Sequence, residues 1–362
     1  MNMEQMMKTG AGRYLQSPGA AGLAGGELAR LGYRKVGILA GERAFAAARD
    51  SLMPSVEGTV SYAVKIYPGF CTARDIDELS GWARQERSDC LLGVGGGKLM
   101  DLSKAVGAQL RLPVFTLPTI AATCAAFAAL SVIYDRRGHQ ESIRYHEDGV
   151  AGVFVDLSIL AAAPRRYLAA GIADAFAKKC EYSSMRSALG YQEIDLGRYM
   201  GYRLAQASDE VLLACGRQAF ADNGKGLLTP AFNDAVSCLM GITGVVSGLG
   251  AYAGRGGARF AIAHGFNEII RGDYVKDPRR FLHGEIVGVG ILAQLRANGV
   301  DQGEIQAVEG LFRDLELPLR LRDLEMPLDG EALEGFVRHL MDHCRVEPEL
   351  QPRVRQAVWA VC

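Results

Sequence analysis

The chain has 362 residues, beyond the roughly 250–300 at which a single hydrophobic core stops growing, so two domains are expected. Its 40 Lys+Arg balance 41 Asp+Glu, which leaves no bulk charge to draw it to nucleic acid or to anionic lipid. A small molecule is the expected partner, and the 44 glycines among 49% hydrophobic residues suggest an Ala-, Leu- and Val-rich core crossed by close backbone approaches.

Lys35–Ala40 (KVGILA) reads as a short buried strand, followed by helix formers over Glu42–Leu52. Val60–Tyr67 reads as the next strand, and Asp75–Gln85 as an amphipathic helix with its acid where the helix dipole favours it. Cys90–Val94 and Val114–Leu117 are short buried strands by the same test, with a helix over Leu99–Leu110 between them. Alternation of this kind predicts a mainly parallel, Rossmann-like sheet covered by helices. After one more apolar run, Val150–Leu157, the periodicity turns helical, and Pro164 suits a first helical turn. The boundary is therefore expected near residues 158–164, giving an α/β domain over 1–162 and an all-α domain over 163–362. No internal repeat or low-complexity linker is visible, and a cleft between two such halves is a common meeting place for cofactor and substrate.

The eight cysteines, at positions 71, 90, 124, 180, 215, 238, 344 and 362, include no CxxC pair and no regular spacing. Reduced thiols in the cytoplasm are expected, rather than a disulfide framework or a structural zinc. The opening MNMEQMMKTGAGRY lacks the apolar run of a signal peptide. No segment is expected to approach the ~20 apolar residues that span a bilayer. The Ala-rich stretch around 120–133 comes nearest, and its length and Thr123 exclude it.

Strand Cys90–Val94 runs into Gly95, Gly96, Gly97 and Lys98, then into a helix near Leu99. A strand, a glycine turn and a helix N-terminus together favour a phosphate, because free amides and the dipole converge there. The dinucleotide fingerprint would need glycine where Lys98 stands, and a Walker A loop would need glycine at Leu92 and Ser or Thr at Leu99. Neither fits, yet three glycines and a lysine exceed what a plain turn requires. Asp101 would fall in the first helical turn, able to cap it or to reach a ribose hydroxyl.

Of six histidines, His264 closes the small-residue stretch GLGAYAGRGGARFAIAHG and His283 opens HGEIVGVGILAQL. Gly272-Asp273 and Asp277-Pro278 between them are expected to break any helix, so the two imidazoles sit on two helical segments that can converge. Asp174, in GIADAFAKKCEY, is a helical carboxylate among Ala, Ile and Phe, costly to bury unless paired or bound to a cation. Two histidines and a carboxylate leave an open position on Zn²⁺ or Fe²⁺. Taken singly, each has a blander reading: a helix Asp is usually a cap, and a His a satisfied side chain. His339 and His343 are also spaced i, i+4, but Arg338, Asp342 and Arg345 around them indicate a solvated helix face.

Five blocks in this order resemble the iron-containing alcohol dehydrogenase and glycerol dehydrogenase superfamily, which has the dehydroquinate-synthase-like fold. They are GVGGGKLMD (93–101), PTIAATCAAFAALSVIYD (118–135), GIADAFAKKCEY (171–182), AHGFNE (263–268) and FLHGEIVGVGILAQL (281–295), and the likeness spans almost the whole chain. The resemblance implies an NAD(P)-linked dehydrogenase with one divalent metal held by Asp174, His264 and His283, zinc in the glycerol dehydrogenase branch and iron in others. It implies Gly95, Gly96, Gly97, Lys98 and Asp101 as the cofactor phosphate loop, with Thr119, Ala121, Ala122, Leu130 and Tyr134 as the strip along the nicotinamide half. It also implies a homo-oligomer.

Three departures narrow the substrate. Where glycerol dehydrogenases carry an Asp toward the polyol hydroxyls, this chain has Cys124, a weak donor. PTIAATCAA with Lys178 instead resembles the hydroxycarboxylate dehydrogenase branch, which reduces 2-oxo acids such as 2-oxoglutarate and oxaloacetate with NADPH. Lys178 lies four residues after Asp174, so both project from one helix face. It reads equally as an anchor for a substrate carboxylate or as a solvated lysine beside Lys179. Asn267 stands where many members have a second His, often given the proton relay, and it cannot titrate. After strand Lys35–Ala40 the turn is Gly41-Glu42-Arg43: Gly41 leaves room for a 2′-phosphate that Arg43 can pair with, while Glu42 opposes it, which leans to NADP(H). A catalytic reading thus places Asp174, His264, His283 and Lys178 at the chemistry, with Cys124 and Asn267 toward the substrate. A glycerol or polyol dehydrogenase, a dehydroquinate-synthase-like cyclase and a catalytically silent nucleotide-binding protein are the alternatives.

Overall fold

Six short runs pair in parallel into one sheet. They are β1 (Tyr14–Ser17), β2 (Lys35–Ala40), β3 (Ser61–Ile66), β4 (Cys90–Gly95), β5 (Val114–Pro118) and, after a hairpin of β6 (Leu130–Tyr134) and β7 (Gln140–Tyr145), β8 (Gly152–Asp156). The spatial order is β1-β8-β5-β4-β2-β3, while β6 and β7 pair only with each other, antiparallel. The structure is a computed structural model and describes residues 9–68, 70–135, 138–183, 196–251, 261–275, 277, 280–326 and 328–362.

The inner strands β4, β5 and β8 are buried along their whole length and β2 everywhere but Lys35, which is why they read as continuous apolar runs. Helices α1 (Ala24–Arg30), α2 (Glu42–Val56), α3 (Ala73–Gln85) and α4 (Gly97–Leu110) intervene. The chain leaves β2 for edge strand β3 and then crosses back over β2 to enter β4. Strand order reverses there, so the carboxyl ends of β2 and β4 flank a crevice of the kind where open α/β sheets take ligands. The α3 start is fixed by a capping box in which Thr72 Oγ1 accepts from the Asp75 amide and Asp75 Oδ2 from the Thr72 amide. Caps of this kind contribute about 1 kcal/mol.

Sequence reasoning did not anticipate β1 or the β6–β7 hairpin. Nor does Asp101 cap α4: the N-cap is Gly96, which receives no side-chain bond, and Asp101 lies inside the helix.

From α5 (Leu157–Ala162) onward no strand occurs among the described residues. Pro164 is the N-cap of α6 (Arg165–Tyr182), which is followed by α7 (Leu196–Asn223), α8 (Pro230–Ser237), α9 (Thr243–Ala251) and α10 (Ile262–Ile269). Then come α11 (His283–Asn298), α12 (Gln302–Asp314), α13 (Gly330–His343) and α14 (Gln351–Trp359). Two expectations are corrected here. Gly272-Asp273 does not break the helix, because a π turn over Ile270–Tyr274 carries α10 onward and absorbs both residues. The run Pro230–Leu249 reaches 20 residues at mean hydropathy 1.3, long and apolar enough to cross a bilayer, but more than half of its apolar window is buried inside the protein. It is formed by α8, a π turn and α9, packed on α7, and its apolar character is that of a core helix. Residues 252–260, within the small-residue stretch before His264, lie outside the described residues.

Candidate metal centre and cofactor crevice

Asp174 sits mid-way along α6, His264 near the start of α10 and His283 at the first position of α11. One ligand atom from each lies within 4.8 Å of the other two. The His283 and His264 Nε2 atoms are 3.3 and 3.6 Å from Asp174 Oδ1. The helices meet this closely partly because of Gly284, where a Cβ would fall 1.8 Å from the Ala170 carbonyl oxygen on α6. That contact seats the start of α11, and so His283, beside Asp174.

The residues fit a divalent cation. Asp174 is only 4% exposed, and its Oδ1 makes no hydrogen bond among the described residues. An isolated buried carboxylate costs several kcal/mol, so an unmet oxygen facing two imidazole nitrogens is a site that a cation stabilises. Burial would raise the Asp174 carboxyl, but Lys178 and the two imidazoles outweigh it and hold it well below the usual range.

Glu181, two turns along α6 from Asp174, was not singled out by sequence reasoning. Its Oε2 is 2.9 Å from His264 Nδ1 and its Oε1 accepts from the His264 amide at 3.0 Å. A carboxylate can only accept, so Nδ1 carries a proton and Nε2 is the nitrogen left to meet a metal. Burial works against a charged ring, but Glu181 and Asp174 beside it raise it to about 9, so a bound metal would displace the Nε2 proton. Burial opposes ionisation of Glu181, yet His264 draws it down to about 2. A Glu two residues after Lys179 and beside Tyr182 looks solvated in sequence, and only its spacing of seven from Asp174 places it on the same face.

Lys178 faces the site, its charge acting on Asp174, Cys124 and Glu181, and no carboxylate among the described residues pairs with it. Burial works against its charge, but Asp174 and its other anionic neighbours keep it protonated. Cys124 is buried, with Sγ 3.6 Å from Ser247 Oγ. Asn267 lies one turn beyond His264, and its Oδ1 accepts from Arg271 Nε at 3.3 Å. Arg271 also donates to the Phe281 carbonyl at 2.9 Å. The other histidines take no part. His339 and His343 pair separately with Asp273 and Glu268, and His146 is buried against Ser131.

The glycine loop lies at the carboxyl end of β4. Gly95 closes the strand, Gly96 caps α4 and Gly97 begins it, so the first-turn amides of α4 face out of the sheet end. Gly41, at the end of β2, donates to the Val94 carbonyl and caps α2, with Arg43 exposed just beyond. Lys98 rests its ammonium 3.9 Å from the Phe70 ring centroid and 5.7 Å from that of Tyr134. Thr119, Ala121, Ala122, Leu130 and Tyr134 form a strip leading from this loop, the Thr119 amide donating to the Gly95 carbonyl at 3.0 Å. The strip also touches the metal helix: a Cβ on Gly171 of α6 would fall 2.2 Å from the Ala121 carbonyl oxygen. Asp101 is placed differently from expectation. Its carboxylate is buried, 2.9 Å from Lys104 Nζ and accepting from the Val132 amide.

Residues 11–156 match the family described as iron-containing alcohol dehydrogenase. Hydroxycarboxylate dehydrogenase A of Escherichia coli K12 is 35% identical over 302 residues, covering 83% of this chain and 80% of its own. The chain belongs to the iron-containing alcohol dehydrogenase and glycerol dehydrogenase superfamily. Glycerol dehydrogenase of Thermotoga maritima is 33% identical over 336 residues, covering 90% of this chain and 86% of its own. A probable glycerol dehydrogenase from Sinorhizobium meliloti superposes with a TM-score of 0.81 at 25% identity, covering 99% of this chain and 98% of that one. This member of the superfamily is an NAD(P)-dependent, metal-associated oxidoreductase acting on alcohol or oxo- and hydroxy-acid substrates.

Proposed function

We propose that this dehydrogenase interconverts a small 2-oxo acid and its 2-hydroxy acid, using NADP(H) in preference to NAD(H) and Zn²⁺ or Fe²⁺ at Asp174, His264 and His283. Residues 1–162 hold the nucleotide and residues 163–362 the metal. The pyrophosphate lies on Gly95, Gly96, Gly97 and Lys98, and the nicotinamide half along Thr119, Ala121, Ala122, Leu130 and Tyr134. Gly41 leaves room at the adenosine ribose, and Arg43 meets a 2′-phosphate there.

One observation carries the substrate reading. Lys178 lies beside the candidate metal centre, one helical turn from Asp174; Asp174 and Glu181 favour its charge, but it makes no ion pair or hydrogen bond to a carboxylate among the described residues. Such a group supplies a charge-assisted anchor for an anionic substrate. Cys124 beside it offers little to a polyol hydroxyl.

When bound, the metal supplies Lewis acidity toward a carbonyl and the reduced nicotinamide supplies hydride. The protein's own residues do the positioning. Asp174 and the two imidazoles fix where the carbonyl is held, Glu181 keeps His264 in the tautomer that presents Nε2, and Lys178 orients the carboxylate. Asn267 is held by Arg271 and cannot carry a proton itself, so it binds rather than relays. The eight cysteines, with no CxxC pair and no regular spacing, support a cytoplasmic location.

The test is a substrate panel followed by the absorbance of reduced nicotinamide. With NADPH, 2-oxo acids are expected to turn over faster than aldehydes, and the reverse reaction with glycerol is expected to be slowest. Preferential oxidation of glycerol would replace this reading with a polyol dehydrogenase, and silence across the panel with metal bound would favour a cyclase.

A further inference from the structure

The strip assigned above to the nicotinamide half is an awkward piece of backbone. Between Thr119 and Ala129 it forms no regular helix or strand, and its small side chains (AATCAAFAA over 121–129) offer little to interdigitate. Buried backbone groups must nevertheless be met. Three of the carbonyls at its far end converge on one side chain. Lys104 of α4, 3% exposed at its side chain, donates to the carbonyls of Ala125 at 2.7 Å, Ala128 at 3.0 Å and Leu130. Its charge is met by Asp101 Oδ1 at 2.9 Å, one turn earlier on the same helix. Asp101 Oδ2 accepts from the Val132 amide at 3.3 Å, and the Asp101 carbonyl accepts from Ser131 Oγ at 2.7 Å. From the other side, Thr116 Oγ1 of β5 donates to the Ala126 carbonyl at 2.7 Å.

We infer that Lys104 is a positioning residue for the cofactor: it ties the strip under the nicotinamide to the helix whose N-terminus carries the phosphate loop. The inference rests on the cofactor placement proposed above. Helix α4 begins at Gly97, where a Cβ would lie 3.1 Å from Thr123 Oγ1, so the helix touches the strip at its first residue and grips it again two turns later. The two halves of a dinucleotide are thereby referred to one rigid element. Burying an ammonium and a carboxylate is costly, and an apolar residue would fill the space as well. Only a cation with several donors can meet three carbonyls at once, and that explains a lysine at this place.

The test compares Lys104→Met with wild type by NADPH fluorescence titration, chelator-competition metal affinity and steady-state kinetics. Expected are an about tenfold weaker NADPH affinity and a matching rise in its KM, with kcat at saturating NADPH and metal affinity changed by less than about threefold. A general structural defect would instead lower the active fraction, and with it kcat, and weaken metal and cofactor together. Adding Asp101→Asn removes the charge left behind, and Thr116→Val removes a single bond to the same strip, should Lys104→Met not fold. Each folded variant is expected to lose cofactor affinity selectively, Thr116→Val least. Unchanged NADPH affinity in folded variants, or equal losses of metal and cofactor, would overturn the assignment. Wild-type protein that binds neither NADPH nor NADH would refute the dehydrogenase reading itself, which the variants alone do not address.

Discussion

The two halves of the site are made of different material. The proposed cofactor crevice is mostly backbone: Gly95, Gly96 and Gly97 stand at the start of α4, Gly41 at the end of β2, and an Ala-rich strip runs beside them. The candidate metal centre is made of side chains from three helices, α11 seated on α6 at Gly284 and on α10 at Gly290, with His264 oriented by Glu181. Backbone sites depend on what anchors the chain, whereas side-chain sites depend on individual functional groups. Substitutions should therefore act on the two halves separately, and each prediction probes that separation.

The largest effect is expected from Asp174→Ala combined with His264→Ala, which removes two of three ligands. Activity should fall by roughly a thousandfold, with metal stoichiometry near zero and NADPH affinity kept. Turnover at the wild-type rate would show that the metal assignment is wrong. Gly284→Ala comes next, because its Cβ would meet the Ala170 carbonyl oxygen at 1.8 Å, backbone that cannot swing aside. A loss of about 1–3 kcal/mol is expected from denaturant melts, together with weaker metal binding. An unshifted midpoint would mean that α6 and α11 do not bear on each other as described.

Glu181→Gln is subtler, since it keeps the shape but removes the charge and one of the two acceptor oxygens that meet the His264 amide and Nδ1. Metal affinity should weaken by about 10–100-fold while cofactor affinity stays the same. Equal weakening of both would blur the distinction between the halves. Smallest is Arg43→Ala, an exposed charge at the adenosine end: NADPH should lose about threefold in affinity and NADH nothing. Parallel changes for both nucleotides would remove Arg43 from any role in choosing between them.

Much of the fold was legible because buried parallel strands leave a plain signature. The Lys35–Ala40, Cys90–Val94 and Val114–Leu117 runs correspond to β2, β4 and β5, with β4 and β5 each one residue longer. The hairpin left no such trace, since β7 (QESIRY) is exposed along most of its length and carries polar residues on both faces. β1 is only four residues long and half-buried throughout. The π turn at Ile270–Tyr274 hid a helical continuation behind Gly272-Asp273, where composition favours a break.

The candidate metal ligands were legible only as members of ordered blocks, since singly each has a duller reading. Lys104, Glu181 and Arg271 were not, because a charged residue on a helix reads as solvated until the packing shows what it faces. Asp101 was noticed for its neighbourhood, but the partners the packing gives it were not legible. Its position beside the glycine loop suggested a ribose, whereas burial turns it inward to Lys104 and Val132.

The central claim is that the metal centre holds an anionic oxo acid through Lys178. Lys178→Met tests it directly, with steady-state kinetics on a 2-oxo acid and on an uncharged aldehyde of similar length. The account predicts a KM for the oxo acid higher by about tenfold or more, with the aldehyde KM within about twofold of wild type. Equal changes for both substrates would contradict it.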